Sequence, residues 1–144
     1  MLKYQKRLTH FWVLIVLGIT ACSVPSLESA ECRAARGQVK RLYSVHFDRG
    51  FNPEPAYEKM RSEYLTAEFE KEFDRDDTLD PLTATDDYPK AFRIGNCEKV
   101  GENKVAFSIL LFWKDDKRDE QREIRTESTV VNGEWKISGV RKAS

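Results

Sequence analysis

Residues 104–114, KVAFSILLFWK, decide the fold of this chain. Val105, Phe107, Ile109, Leu111 and Trp113 share one face of a two-residue period, and Ala106, Ser108, Leu110 and Phe112 share the other. Both faces are apolar at the centre, which predicts a strand in the interior of a sheet. Working outward, Phe92, Ile94 and Asn96 share a face of a preceding strand. The charged run 114–120 (KDDKRDE) reads as a hairpin tip. Arg122, Ile124, Thr126, Ser128 and Val130 then alternate with polar neighbours as a half-exposed strand. Asn132-Gly133 is the dipeptide favoured by a type I′ hairpin. Trp135, Ile137 and Val140 form a last strand, with Gly139 a candidate bulge.

N-terminal to Pro89 the period is helical. Val39, Leu42, Tyr43, His46 and Phe47 follow the i, i+3, i+4, i+7, i+8 spacing of one helix face. Gly50 stands where a C′ glycine ends a helix, and Asn52-Pro53-Glu54-Pro55 reads as a cap and first turn. Tyr57, Met60, Tyr64 and Leu65 continue on one face, and Thr66 caps a turn carrying Phe69 and Phe73. Residues 74–87 are acidic, broken by Pro81, and read as a loop. Helices first and an antiparallel meander after them predict an α+β fold, N-terminal helices packed on a curved four-stranded antiparallel sheet.

The first 22 residues carry an address. Lys3, Lys6 and Arg7 precede the apolar run Phe11–Ile19, which is shorter than the roughly 20 apolar residues a membrane span needs. Ile19-Thr20-Ala21-Cys22 resembles the lipobox of bacterial lipoproteins. The resemblance implies a signal peptide over 1–21, removed before Cys22, with Cys22 carrying diacylglycerol and an acylated amine. Three acyl chains on one residue make anchoring nearly permanent, since each buried methylene contributes about 0.8 kcal/mol. Ser23 stands where Asp in such lipoproteins retains them at the inner membrane. The expected place is therefore the outer membrane, facing the periplasm. A plain cleaved signal and an uncleaved anchor are the competing readings. Residues 22–33 read as the lipidated Cys and a tether, and 34–144 as a single domain.

Composition narrows the rest. The signal takes three of the 24 Lys+Arg and none of the 24 Asp+Glu, so the remainder is slightly acidic and carries no nucleic-acid signature. Cys32 and Cys97 remain as one candidate disulfide in an oxidising compartment, or as two free thiols if their geometry keeps them apart.

The element order, an early helix with Tyr43, then Glu63-Tyr64-Leu65-Thr66, Asp80-Pro81, Asp87-Tyr88 and Asn132-Gly133-Glu134-Trp135-Lys136-Ile137, resembles the nuclear-transport-factor-2-like cone over about residues 36 to 140. Within that group it resembles an uncharacterised bacterial family, domain of unknown function 3828. The resemblance implies a pocket inside the cone, with Tyr43, Tyr64, Phe92, Phe107, Ile109, Trp113 and Trp135 as candidate lining residues. The alternative is that these side chains simply fill the core.

Chemistry-bearing patterns are sparse. His46 is the one histidine outside the signal and reads as a helix-face residue. Asp74, Asp76, Asp77, Asp80, Asp86 and Asp87 lack the spacing of a calcium loop and read as a solvated segment with Asp80 capping the turn at Pro81. No metal or cofactor is expected from Cys/His spacing or Gly-rich loops. An isomerase or dehydratase in the cone needs a buried carboxylate, and none falls on the inner face of the central strand. Three functions compete: a non-catalytic module on a membrane-anchored periplasmic lipoprotein, binding a protein partner or small apolar ligand; that enzyme; and an immunity-type lipoprotein.

Overall fold

A computed structural model describes residues 27–49, 55–75 and 78–143. The strand expected at 104–114 forms as β2 (Lys104–Lys114), between β1 (Ala91–Gly101) and β3 (Asp119–Val131), with β4 (Glu134–Lys142) beyond β3. All three pairings are antiparallel. Val105, Phe107, Ile109 and Leu111 are fully buried on one face of β2. Asn132 and Gly133 have φ of 52° and 82°, the two left-handed positions that a type I′ turn requires.

Among the described residues three helices lie against this sheet: α1 (Ala30–Arg49), α2 (Pro55–Tyr64) and α3 (Ala67–Glu70), the last running into a 3-10 turn over Lys71–Asp74. The fold is α+β. Helix α1 buries Cys32, Ala35, Val39, Leu42, Tyr43 and His46, a stripe repeating every three or four residues. Thr66 caps α3, its Oγ1 accepting the Phe69 N–H at 3.3 Å. The Thr66 N–H donates to the Ile137 carbonyl at 2.9 Å, and Leu65 bridges Ile137, so the helical segment covers the outer edge of β4. Gly50 and the expected cap at Asn52 lie outside the described residues.

Three local readings need correction. The domain begins before residue 34: α1 starts at Ala30 and Cys32 is buried, so residues 30–33 are a helical turn and not tether. Ser29 sets that start, its Oγ accepting the Cys32 N–H at 3.1 Å. Asn96 is exposed and does not share the core face of β1. The β1–β2 register shifts between Ile94 and Cys97, so an extra residue turns Asn96 outward. A Cβ at Gly95 would lie 3.2 Å from the Ser108 carbonyl oxygen, which explains glycine there. In β4, Glu127 faces Gly139 but Ser128 faces Ile137, so Ser138 is the extra residue and Gly139 its neighbour.

Helix α1 is fastened to β1 near its start. Cys32 and Cys97 form a disulfide, their Cα atoms 5.9 Å apart. Arg36 pairs with Glu28, donates to the Gly95 carbonyl at 3.0 Å, and sets its guanidinium 5.2 Å from the Phe107 ring centre. Lys99 bonds Glu31 at 2.7 Å, and this hydrogen bond holds the Glu31 carboxyl at about 2, below its ordinary 4.5.

Phe107→Ala is expected to lower stability by about 3–5 kcal/mol in urea unfolding, whereas the exposed Gln121→Ala stays within about 0.5 kcal/mol. Glu31 has a depressed folded pKa, so its contribution is complete above pH 4.5 and lost as pH falls toward 2. Acid unfolding of Glu31→Gln should accordingly show a shallower pH dependence over that interval than the parent chain.

Candidate functional site

The seven residues implied as pocket lining are placed in the packed core. Tyr43, Phe107 and Ile109 have no solvent exposure, Trp113 is buried, and Tyr64, Phe92 and Trp135 pack against the same cluster. The Tyr43 and Phe92 ring centres are 5.6 Å apart. Tyr43 donates its hydroxyl proton to the Leu82 carbonyl at 2.7 Å, and Thr126 Oγ1 lies 2.7 Å from the Tyr43 hydroxyl oxygen. Burial pushes the Tyr43 phenol far above its usual range. A phenol so satisfied acts as a structural peg from α1 into the sheet and the 80–85 turn.

The structure joins two features that the sequence kept apart. His46, on the last turns of α1, is buried, with Nε2 3.1 Å from Asp80 Oδ2. Its Nδ1 lies 2.5 Å from the Tyr57 hydroxyl on α2. Tyr88 donates its hydroxyl proton to the His46 carbonyl at 2.7 Å. Asp80 sits in a tight turn closed by its pairing with Thr85, with Ala84 at φ 52°. Its Oδ1 accepts the N–H groups of Leu82 and Thr83, both at 2.9 Å, and the Thr83 hydroxyl at 3.2 Å. The expected turn cap at Asp80 is therefore present, and the same carboxylate also reaches back to the helix.

Carboxylate, imidazole and phenol in series are the components of a proton relay. Here the carboxylate has one oxygen filled by three donors and the other turned to His46, and its side chain is only 7% exposed. Burial also raises the Tyr57 phenol well above its usual range, so it stays protonated. Arg61 stacks 4.0 Å from the Phe73 ring centre and 5.7 Å from that of Tyr57, closing the same corner. The arrangement is suited to clamping α1, α2 and the 80–88 segment together. One sequence signal pointed to it: His46 continues the buried stripe of Val39, Leu42 and Tyr43, a position that calls for a buried partner.

Among the surface hollows lined by described residues, two bear on these layers. One, of about 300 Å³, runs past Phe73, Leu79, Pro81 and Asp86 and touches Asp80. The other, of about 440 Å³, lies on the sheet face away from α1. Small residues Gly95, Ala106 and Ser108 form its floor, and Arg93, Glu123 and Arg125 stand around it. Ser108 donates to Glu123, and Arg125 pairs with Glu98. Beside it, Glu127 lies between Lys104 and Arg141, and the hydrogen bond from Lys104 holds its carboxyl below the usual range. The bulge at Gly95–Asn96, which sequence periodicity did not reveal, shapes this floor.

No family model matches the chain, and no curated protein matches it significantly. A solved structure, that of a protein of unknown function from Bacteroides thetaiotaomicron, aligns with a TM-score of 0.56 at 16% sequence identity. The alignment covers 77% of this chain and 90% of that one. At such identity the likeness shows the fold alone.

Removing either member of the buried His46–Asp80 contact leaves the other polar side chain without that partner. His46→Ala or Asp80→Ala should cost about 1–3 kcal/mol in urea unfolding, and the double replacement less than the sum of the two. Tyr57→Phe, which removes one hydrogen bond, should cost about 1 kcal/mol.

Proposed function

We propose that this chain is a lipoprotein anchored through Cys22 to the outer membrane, carrying a non-catalytic binding module in the periplasm. The observation that carries this reading is the filled space between helices and sheet, where Tyr43, Phe107 and Ile109 occupy the expected pocket. Recognition then belongs to the outside of the domain. The hollow on the open sheet face supports a contact surface there, because its floor of small residues lies below projecting arginines and glutamates. That lining favours a protein segment or a polar ligand over a small apolar one. Among the described residues no helix is long and apolar enough to cross a membrane.

The enzyme reading has one observation in its favour, the Asp80–His46–Tyr57 series beside the smaller hollow. An acid–base role requires a carboxylate or phenol that meets substrate. The saturation of Asp80 weighs against it.

The anchor and the binding surface are tested separately. The wild-type chain should sediment with outer membranes and carry a mass increment of three acyl chains and glycerol on Cys22. Cys22→Ser should lose both; an unmodified Cys22 in the wild type would defeat the anchor. A photoreactive residue at Leu110, on the open face, should give a discrete adduct in intact cells, whereas one at the exposed Glu58 of α2 should not. Absence of any adduct at Leu110 or at other positions of that face counts against the binding module.

A further inference from the structure

The outer face of α1 has a composition that the core does not explain. Ala30, Arg33, Ala34, Gly37, Lys40 and Arg41 are all exposed and fall along one side of the helix, opposite the buried stripe. Three of these six are cations and the other three are small. Among the described residues, neither Lys40 nor Arg41 has an ion-pair or hydrogen-bond partner. The two acids of the helix lie apart from them: Glu31 is bonded to Lys99, and Asp48 is at the far end. A Cβ added at Gly37 would meet nothing within 4 Å, so no other described element covers the middle of this face.

The position of the helix says what covers it. In the lipoprotein reading, residues 23–29 separate the lipid-bearing Cys22 from Ala30, and so short a segment extends at most about 25 Å. A 20-residue helix is about 30 Å long, so the tether cannot lift α1 clear of the membrane by more than its own length. Leu27, just before the helix, is fully exposed. Arg33 donates to the Glu28 carbonyl at 2.5 Å and stays exposed. An apolar residue near a stripe of exposed cations matches the boundary between acyl chains and anionic headgroups.

We propose that the outer face of α1 lies on the anionic phospholipid surface of the membrane that holds Cys22, with Arg33, Lys40 and Arg41 contacting headgroup phosphates. This placement rests on the anchor at Cys22. The small residues Ala34 and Gly37 allow the helix backbone to approach the headgroups closely. Because α1 covers one side of the sheet, the hollow floored by Gly95, Ala106 and Ser108 is then turned away from the membrane toward the periplasm. The stripe thus orients the domain as well as adding to its attachment.

The test uses the full lipidated chain on vesicles of phosphatidylcholine alone or with phosphatidylglycerol, with a fluorophore on Gly37→Cys and quencher-bearing headgroups. Quenching should be strong only with phosphatidylglycerol, and should fade in about 0.5 M salt, where the Debye length is about 4 Å. Replacing Lys40→Gln or Arg41→Gln should each lower the ratio of contacting to free chains about fivefold. Both are exposed positions, and unchanged circular dichroism checks that the variants remain folded. Equal quenching on the two vesicles, or quenching unaffected by the replacements, overturns the proposal. A chain that washes off phosphatidylcholine vesicles defeats the anchor instead. Charge-dependent quenching on phosphatidylglycerol would then still support the stripe.

Discussion

Val105, Phe107, Ile109, Leu111 and Trp113 give β2 an apolar face that a four-stranded sheet cannot hide by itself. Most of the molecule answers that need. Helix α1 supplies the cover, its buried stripe meeting the strand residues in one continuous core. Tyr43 adds a hydrogen-bonded peg through that core to Thr126 of β3 and the backbone of the 80–85 turn. With the covering helix seated, Tyr43, Phe107 and Ile109 lie fully buried between the layers.

The helix is held at both ends by different chemistry. Near its start, the Cys32–Cys97 disulfide and the Arg36 contacts to Glu28, Gly95 and Phe107 tie it to β1. Closing a loop of this sequence separation removes unfolded-state entropy, about 4 kcal/mol in the chain-entropy account. Near its end, His46 meets Asp80 and Tyr57, and Tyr88 takes the His46 carbonyl. A buried polar cluster tolerates few alternative arrangements, because each group left without a partner is costly. Its effect is therefore to fix how α1, α2 and the 80–88 segment meet. Arg118 extends the same fastening, joining Asp87 to Glu120 while its guanidinium lies 4.9 Å from the Trp113 ring centre.

The sequence showed the architecture clearly because the period changes from 3.6 to 2 at Pro89 and both patterns are long. The ends of β2 and the Asn132-Gly133 turn were legible to the residue, since alternation and left-handed backbone demands are local. Features that depend on distant partners were not. The start of α1 at Ala30 was hidden because Ser29 looks like any small polar residue until its hydroxyl is seen to cap the helix. The bulge at Gly95–Asn96 depends on pairing with β2, and the strand's own alternation carries no mark of it. The His46–Asp80 pair spans two segments of unlike composition, a helix stripe and an acidic loop, each with an adequate local reading. With Cys22 assigned to a lipid, Cys32 and Cys97 were the one pairing left in the sequence, yet nothing there showed whether the sulfurs could meet. The hollow on the open sheet face arises from small residues on two neighbouring strands, a conjunction that only the register reveals.

The central claim is that the side chains between helices and sheet form a core closed to solvent, which in the proposed function leaves recognition to the outer surfaces. Methyl relaxation in the presence of a small water-soluble nitroxide tests it most directly. The methyls of Leu42, Ile109, Leu111 and Ile137 should be nearly unaffected, while Leu110 on the open face and the exposed Val100 relax strongly. Strong relaxation at Ile109 and Leu42 would mean that solvent-sized molecules enter the interior, and the closed-core account would be wrong.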